Sequence, residues 1–104
     1  MTYYSRQGDL ISFEEWAASL ADPDAKRVGL DVVDGVEVST VWLGIDHSFG
    51  VGEPLIFETM LFCEDVDDPR HHACTRYSTE AQARRGHEDA VKAVRHGDTV
   101  GWLS

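Results

Sequence analysis

Two apolar stretches of strand length constrain this chain most strongly. They are VEVSTVWLGI at 36–45 and LIFETMLFC at 55–63, and both are rich in β-branched and aromatic residues. Such a composition is typical of strands. The polar segment DHSFGVGEP at 46–54, called the connector loop below, separates them. We therefore predict an antiparallel pair at the centre of a sheet, with the connector loop projecting outward from its end.

A further strand is predicted on the N-terminal side of this pair. Asp34-Gly35 is the two-residue signal of a type I′ turn. The turn joins a strand at 28–33 directly to the first apolar stretch. Because side chains alternate along a strand, one face of that stretch carries Val36, Val38, Thr40 and Trp42. A fourth strand at 73–77 is left open, so the predicted β-meander sheet has three to five strands.

Two helices complete the predicted fold. Ser12 and Glu15 have the spacing of a capping box at the start of a helix over 12–22. A second helix is predicted over 79–96. Its inner face is dominated by small residues, and it consists of Ala83, His87, Ala90, Val91 and Val94. The fold class is therefore α+β, in which one domain over 1–104 packs an antiparallel sheet against two helices.

The charge balance narrows the classes of partner. Nine basic and nineteen acidic side chains give a formal net charge of -10. Such a field repels nucleic-acid phosphates and anionic lipid, which disfavours direct nucleic-acid or membrane binding and leaves room for basic partner proteins. The alternative is that the acidity only keeps the protein soluble. No segment reaches the roughly 20 apolar residues of a membrane span, and the N-terminus lacks a signal-peptide core. We therefore expect a cytoplasmic protein.

The connector loop is the strongest candidate site. Its nine residues exceed what a hairpin needs, and ordered loops of extra length often carry function. Asp46 and His47 are suited to an acid-oriented imidazole, in which a carboxylate fixes the tautomer. The alternative is that Asp46 only caps the turn, because adjacent residues at a strand end point to opposite sides.

Two further titratable residues are candidates for acid–base chemistry. Glu58 lies in mid-strand, where an unpaired buried carboxylate is costly. It therefore faces solvent or pairs with a partner such as Arg76, His47 or His87. His87 lies on the small-residue stripe of the second helix, where it is either a satisfied core residue or a member of a site. Convergence of His87, His47 and Glu58 would form one metal or acid–base site.

The cysteines and histidines do not form a recognisable metal motif. Cys63, His71, His72 and Cys74 follow the pattern C-x7-H-H-x-C, which lacks the short paired spacings of zinc sites. The chain also has no Walker A loop and no GxGxxG, GxSxG or HExxH motif. We therefore predict no metal and no cofactor. Two cysteines are too few for a disulfide framework, and we expect them to be free thiols.

Three motifs carry a resemblance to a known family. VSTVWLGIDHSFG at 38–50, PLIFETMLF at 54–62 and RYSTEAQARRGHEDAV at 76–91 resemble a family of small uncharacterised proteins of actinobacteria and their phages. The opening YYSRQGDLISFEEWA is similar to theirs as well, so the resemblance covers nearly the whole chain. It implies a phage or prophage accessory protein of the bacterial cytoplasm, and it supplies no catalytic residues.

Three functions are weighed on these observations. The favoured function is a non-enzymatic module that binds a host or phage protein, because the sequence shows no complete catalytic set. Its predicted contact residues are Trp42, Asp46, His47, Phe49 and Glu53. The second is a small hydrolase or nuclease built on the titratable residues Asp46, His47, Glu58 and His87, which must then lie within reach of one another. The third is an acidic DNA mimic that inhibits a DNA-binding protein, which requires ordered rows of carboxylates.

Overall fold

The computed structural model describes residues 2–48 and 50–97. Its elements are β1 Tyr3–Tyr4, β2 Leu10–Ile11, α1 Phe13–Leu20, α2 Pro23–Lys26, β3 Arg27–Val33, β4 Val36–Trp42, β5 Phe57–Cys63, β6 Cys74–Tyr77 and α3 Glu80–Arg95. The first two strands form a small hairpin, and the other four form a sheet in the order β3-β4-β5-β6. All the strand pairs are antiparallel. The predicted α+β class is confirmed.

The two apolar stretches lie side by side at the centre of the sheet. β4 and β5 pair from Val36 opposite Cys63 to Trp42 opposite Phe57. Both strands are shorter than predicted at the end next to the connector loop. β4 ends at Trp42 rather than at residue 45, since Gly44 has a positive φ of 75° that leaves the strand conformation. β5 begins at Phe57 rather than at residue 55.

The flanking strands extend the sheet on both sides. Asp34 and Gly35 have φ values of 49° and 77°, as the predicted type I′ turn requires, and they join β3 to β4. The register between β3 and β4 shifts between Arg27 and Gly29, which marks a bulge. β6 adds the fourth strand that the sequence left open.

One face of the sheet is covered by α3. Thr79 and Gln82 form a reciprocal capping box at the start of this helix. The buried residues of the helix are the five predicted ones, Ala83, His87, Ala90, Val91 and Val94. They pack against the inward side chains of the central strands, namely Val36, Val38, Thr40, Trp42, Phe57, Thr59, Leu61 and Cys63. Small helix side chains allow this close approach to the sheet.

The first helix is shorter than predicted. Ser12 Oγ accepts a hydrogen bond from the Glu15 amide at 3.1 Å, as expected. The Glu15 carboxylate, however, bonds to the Ser12 hydroxyl rather than to the Ser12 amide, so the reciprocal half of the capping box is missing. α1 ends at Leu20, and a separate helix, α2, begins at Pro23 with Asp22 as its N-cap.

α1 lies at the end of the sheet, next to the N-terminal hairpin. The Trp16 indole nitrogen donates to the carbonyl oxygen of Leu43 at 3.0 Å. The rings of Trp16 and Tyr3 have centroids 4.8 Å apart. This packing brings the hairpin and α1 next to the end of the sheet from which the connector loop emerges.

Candidate functional site

Asp46 holds the two ends of the connector loop together. Its Oδ1 accepts hydrogen bonds from the backbone amides of Ser48, at 2.8 Å, and of Leu55, at 3.0 Å. Its Oδ2 accepts from the Ser48 hydroxyl at 2.9 Å. These bonds favour the charged form and lower the pKa of Asp46, with the Ser48 amide as the largest cause. Asp46 thus caps the turn as an ionised group.

His47 contributes to the base of the loop rather than to a dyad with Asp46. Its Nδ1 lies 2.8 Å from the carbonyl oxygen of Ile45, so this nitrogen carries a proton and donates it. Residues 50–53 form the exposed tip of the loop, and the side chain of Val51 is 79% exposed. Phe49, predicted to be the aromatic anchor of this surface, lies outside the described residues.

A cleft of about 210 Å³ lies beside the connector loop. It is bounded by the loop, the N-terminal hairpin and the start of α3, and its lining residues are Tyr4, Gly8, Glu53, Pro54, Ile56, Ser78 and Thr79. Glu53 is the acidic member of this lining. The cleft therefore combines apolar surface with one negative charge and hydroxyl groups.

Trp42 does not belong to the exposed surface, contrary to the prediction. It is buried in the core, where its indole nitrogen donates to the carbonyl oxygen of Tyr4 at 3.1 Å. Its position on the inward face of β4 follows from the alternation of that strand. Trp42 thus supports the hairpin from beneath and offers no contact area to a partner.

Glu58 lies on the face of the sheet opposite to α3 and is paired. Its Oε2 is 3.0 Å from Nε of Arg76, which is its cross-strand neighbour on β6. This is one of the pairings that the sequence allowed. The ion pair satisfies the carboxylate, so Glu58 needs no catalytic role to explain its mid-strand position.

His87 lies in a row of hydrogen-bonded side chains that runs from Tyr77 to Asp31, called the polar chain below. The Tyr77 hydroxyl donates to Thr59 Oγ1 at 3.2 Å, and Thr59 Oγ1 lies 2.6 Å from Thr40 Oγ1. Thr40 Oγ1 is 2.7 Å from His87 Nδ1, and His87 Nε2 is 2.6 Å from Asp31 Oδ2. His87 is therefore a satisfied core residue bonded to side chains.

The number of protons that the hydroxyl groups can donate fixes the direction of the hydrogen bonds along the polar chain. Each hydroxyl has one proton to donate, and burial raises the pKa of the Tyr77 hydroxyl, so Tyr77 remains a donor. Thr59 then donates to Thr40, which donates to His87 Nδ1. The proton on His87 Nε2 is donated to the Asp31 carboxylate. Every member of the chain is thus satisfied in one consistent arrangement.

The order of Asp31, His87 and Thr40 is that of an acid, a base and a hydroxyl nucleophile. Such a set works only if a substrate can reach the hydroxyl oxygen. Thr40 is fully buried, and its hydroxyl is bonded on both sides. The polar chain is therefore a structural device that satisfies polar groups beneath the sheet. Among the described residues, no buried polar side-chain atom lacks a partner.

The four predicted catalytic residues do not come together. Glu58 and His87 lie on opposite faces of the sheet, since Glu58 alternates with the buried residues of β5 that contact α3. The Asp46 carboxylate is occupied within the connector loop. Sequence reasoning instead missed Asp31 and the two threonines. Their signal was the presence of Thr40 and Thr59 at inward positions of strands that are otherwise apolar.

The two cysteines are also separated. Cys63 is buried on the face that contacts α3, whereas Cys74 lies opposite Met60 and shares the other face. His71 uses its Nδ1 to accept a hydrogen bond from the Cys63 amide at 2.9 Å. Burial raises the pKa of the Cys63 thiol, which keeps it protonated. Within residues 2–48 and 50–97, no group of three His, Cys, Asp or Glu side chains is placed to hold a metal ion.

The acidic side chains are distributed over many elements. Exposed examples are Glu14 on α1, Asp24 on α2, Asp31 on β3, Glu64 after β5 and Glu88 on α3. Others are paired internally: Arg70 lowers the pKa of Asp68 to about 2, and Arg6 lowers that of Glu80. The acidic side chains that the structure describes are therefore spread over several elements of the fold.

Comparison with protein-family models, with curated protein sequences and with solved structures finds no match. The resemblance to proteins of actinobacteria and their phages therefore stays a prediction. In the part of the chain that the structure describes, no helix is long and apolar enough to span a bilayer.

Proposed function

We propose that the protein is a non-enzymatic binding module, which contacts a partner protein through the connector loop and the cleft beside it. The observation that carries this proposal is the Asp46 carboxylate, which bonds to both ends of the loop at Ser48 and Leu55. Fixing the two ends of the loop relative to each other reduces the entropy that is lost when a partner binds, which favours affinity.

The partner that suits this surface is basic. Glu53 lines the cleft, and the chain has a formal net charge of -10. A positively charged protein is attracted by this field, and its association rate falls as ionic strength rises. Val51 at the exposed tip and Pro54 in the cleft supply apolar contact area next to the charge.

The resemblance to proteins of actinobacteria and their phages indicates where the proposed binding takes place. It implies an accessory protein of a phage or prophage, which acts in the bacterial cytoplasm on a protein of the host or of the phage. The polar chain supports a role without catalysis, because its hydroxyl groups at Thr40 and Thr59 are fully buried. The hydrolase and the DNA mimic are not proposed, since no arrangement of the described side chains favours either.

A matched pair of valine variants tests the contact surface. Val51 and Val66 are 79% and 69% exposed, and both lie in loops, but only Val51 lies in the connector loop. We expect affinity capture from an actinobacterial host cytoplasm to recover a basic protein with the wild type and with Val66→Asp, and to lose it with Val51→Asp. A Phe49→Ala, His47→Ala double variant should lose it as well. Equal recovery by all variants would remove the connector loop from the interface.

A further inference from the structure

Within residues 2–48 and 50–97, the edge of the sheet formed by β3 carries free backbone groups. β3 pairs with β4 on one side, and no other described strand pairs with it. At its start, the Arg27 carbonyl oxygen accepts a hydrogen bond from Arg6. For residues 28–33, no hydrogen bond outside the ladder with β4 involves the backbone, as far as the described residues extend. In an antiparallel ladder, alternate residues direct their N–H and C=O groups away from the partner strand.

The regular part of this edge runs from Gly29 to Val33, beyond the bulge. Leu30 and Val32 lie on the face opposite to α3 and are 43% and 70% exposed. Asp31 lies between them on the α3 side, and its side chain is 53% exposed although one oxygen is bonded to His87. The edge therefore presents an apolar, an acidic and an apolar residue in succession.

A second copy of the chain is a poor occupant of this edge. The symmetrical antiparallel pair that uses all five regular residues places Leu30 opposite Val32 of the other copy. It also places Asp31 directly opposite its own counterpart. Like charges at directly opposed positions destabilise strand pairing. Inward-pointing charges are one of the devices by which proteins protect exposed edges.

We propose that β3 accepts an extended segment of a different protein as an additional antiparallel strand, in which two apolar residues flank a central lysine or arginine. The apolar residues contact Leu30 and Val32 on one face. The central cation lies opposite Asp31 and pairs with the carboxylate oxygen that His87 leaves free, Oδ1. Backbone hydrogen bonds supply affinity in this binding mode, and the alternating side chains supply specificity.

This surface is separate from the connector loop and does not depend on its role. Asp31 at the centre of the edge and the net charge of -10 both attract a positively charged segment. In a self-pair, two Asp31 carboxylates repel each other, whereas the central cation of the added strand is attracted to Asp31. The same residue, Asp31, thus opposes self-association and selects a basic strand.

Titration of ¹⁵N-labelled protein with two blocked peptides tests the proposal. The first has the sequence threonine–valine–lysine–valine–threonine, and the second has glutamate in place of lysine. We expect the lysine peptide to shift the amide resonances of residues 29–33 and to slow the hydrogen exchange of those that point outward. The glutamate peptide should bind at least about fivefold more weakly, because an opposed pair of unlike charges becomes a pair of like charges.

Two variants separate the charge effect from a loss of structure. Asp31→Asn should remove the preference for the lysine peptide, whereas Asp24→Asn on α2 should retain it. If circular dichroism shows that Asp31→Asn does not fold, the test is the difference in affinity of the wild type for the two peptides. Equal binding of both peptides, shifts confined to other strands, or no shifts at millimolar peptide would overturn the proposal. A wild-type dimer by sedimentation that Val32→Lys abolishes would overturn it too, since a second copy would then hold the edge.

Discussion

Gly29 lies directly against His87, and its lack of a side chain is what leaves room for the imidazole ring. A Cβ atom at residue 29 would lie 2.8 Å from His87 Nε2 and 2.9 Å from Cδ2. The ring cannot easily withdraw, because its two nitrogens are bonded to Thr40 and Asp31. The edge strand and the helix are therefore packed against each other at one crowded point.

The first prediction concerns this contact. Gly29→Ala should lower the free energy of unfolding by about 1–3 kcal/mol, because the added methyl group overpacks the site. Urea denaturation followed by circular dichroism measures the change. In a His87→Ala background the same substitution should cost almost nothing, since the ring is gone. An equal cost in both backgrounds would show that the effect arises elsewhere.

Gly86 is a second glycine in a crowded position, and replacing it with alanine should destabilise the protein although helix propensity favours alanine. Gly86 lies inside α3, where alanine is normally more stable than glycine by about 1 kcal/mol. A Cβ at this position would collide with the ring and hydroxyl of Tyr77. Gly86→Ala should therefore lower the melting temperature. In a Tyr77→Ala background it should raise it or leave it unchanged, and a stabilising effect in the wild type would contradict this packing.

The polar chain predicts the cost of losing one hydroxyl. Thr40→Val leaves His87 Nδ1 without its donor and Thr59 without its acceptor. The free energy of unfolding should fall by about 1–3 kcal/mol, the usual cost of an unsatisfied buried group. Thr75→Val on the neighbouring strand β6 is the matched control, with an expected change within about 0.5 kcal/mol. Similar effects for the two variants would argue against the polar chain.

The Asp46 carboxylate predicts a dependence of the connector loop on pH. Its pKa is lower in the folded protein than in the unfolded chain. The stabilisation is therefore present above the ordinary carboxyl value of about 4 and is lost as pH falls through the lower folded value. The amide proton shifts of Ser48 and Leu55 should hold constant above about pH 4 and move below it. Asp46→Asn should alter both shifts at neutral pH, and titration of Asp46 at or above its ordinary value would contradict the prediction.

The elements of secondary structure were predictable because their signals are local. Asp34-Gly35 specifies its turn by the conformations that the two residues tolerate, and the small-residue stripe of α3 follows from helical periodicity. The strand ends were less predictable. Ile56 lies before the start of β5, although the sequence predicted a strand from residue 55, and it is buried. Its carbonyl oxygen accepts hydrogen bonds from Leu43 and Gly44, a long-range pairing that no local pattern contains.

The sequence by itself determined which residues of each strand share a face and which side of α3 is apolar, since both follow from fixed backbone periods. Tertiary structure alone decided that Asp31, Thr40 and His87 form one hydrogen-bonded row. These residues come from two strands and a helix, and their meeting depends on the register of the sheet and on the position of the helix along it. Likewise, only the strand order made β3 an edge, because an edge is defined by which strand has no further neighbour.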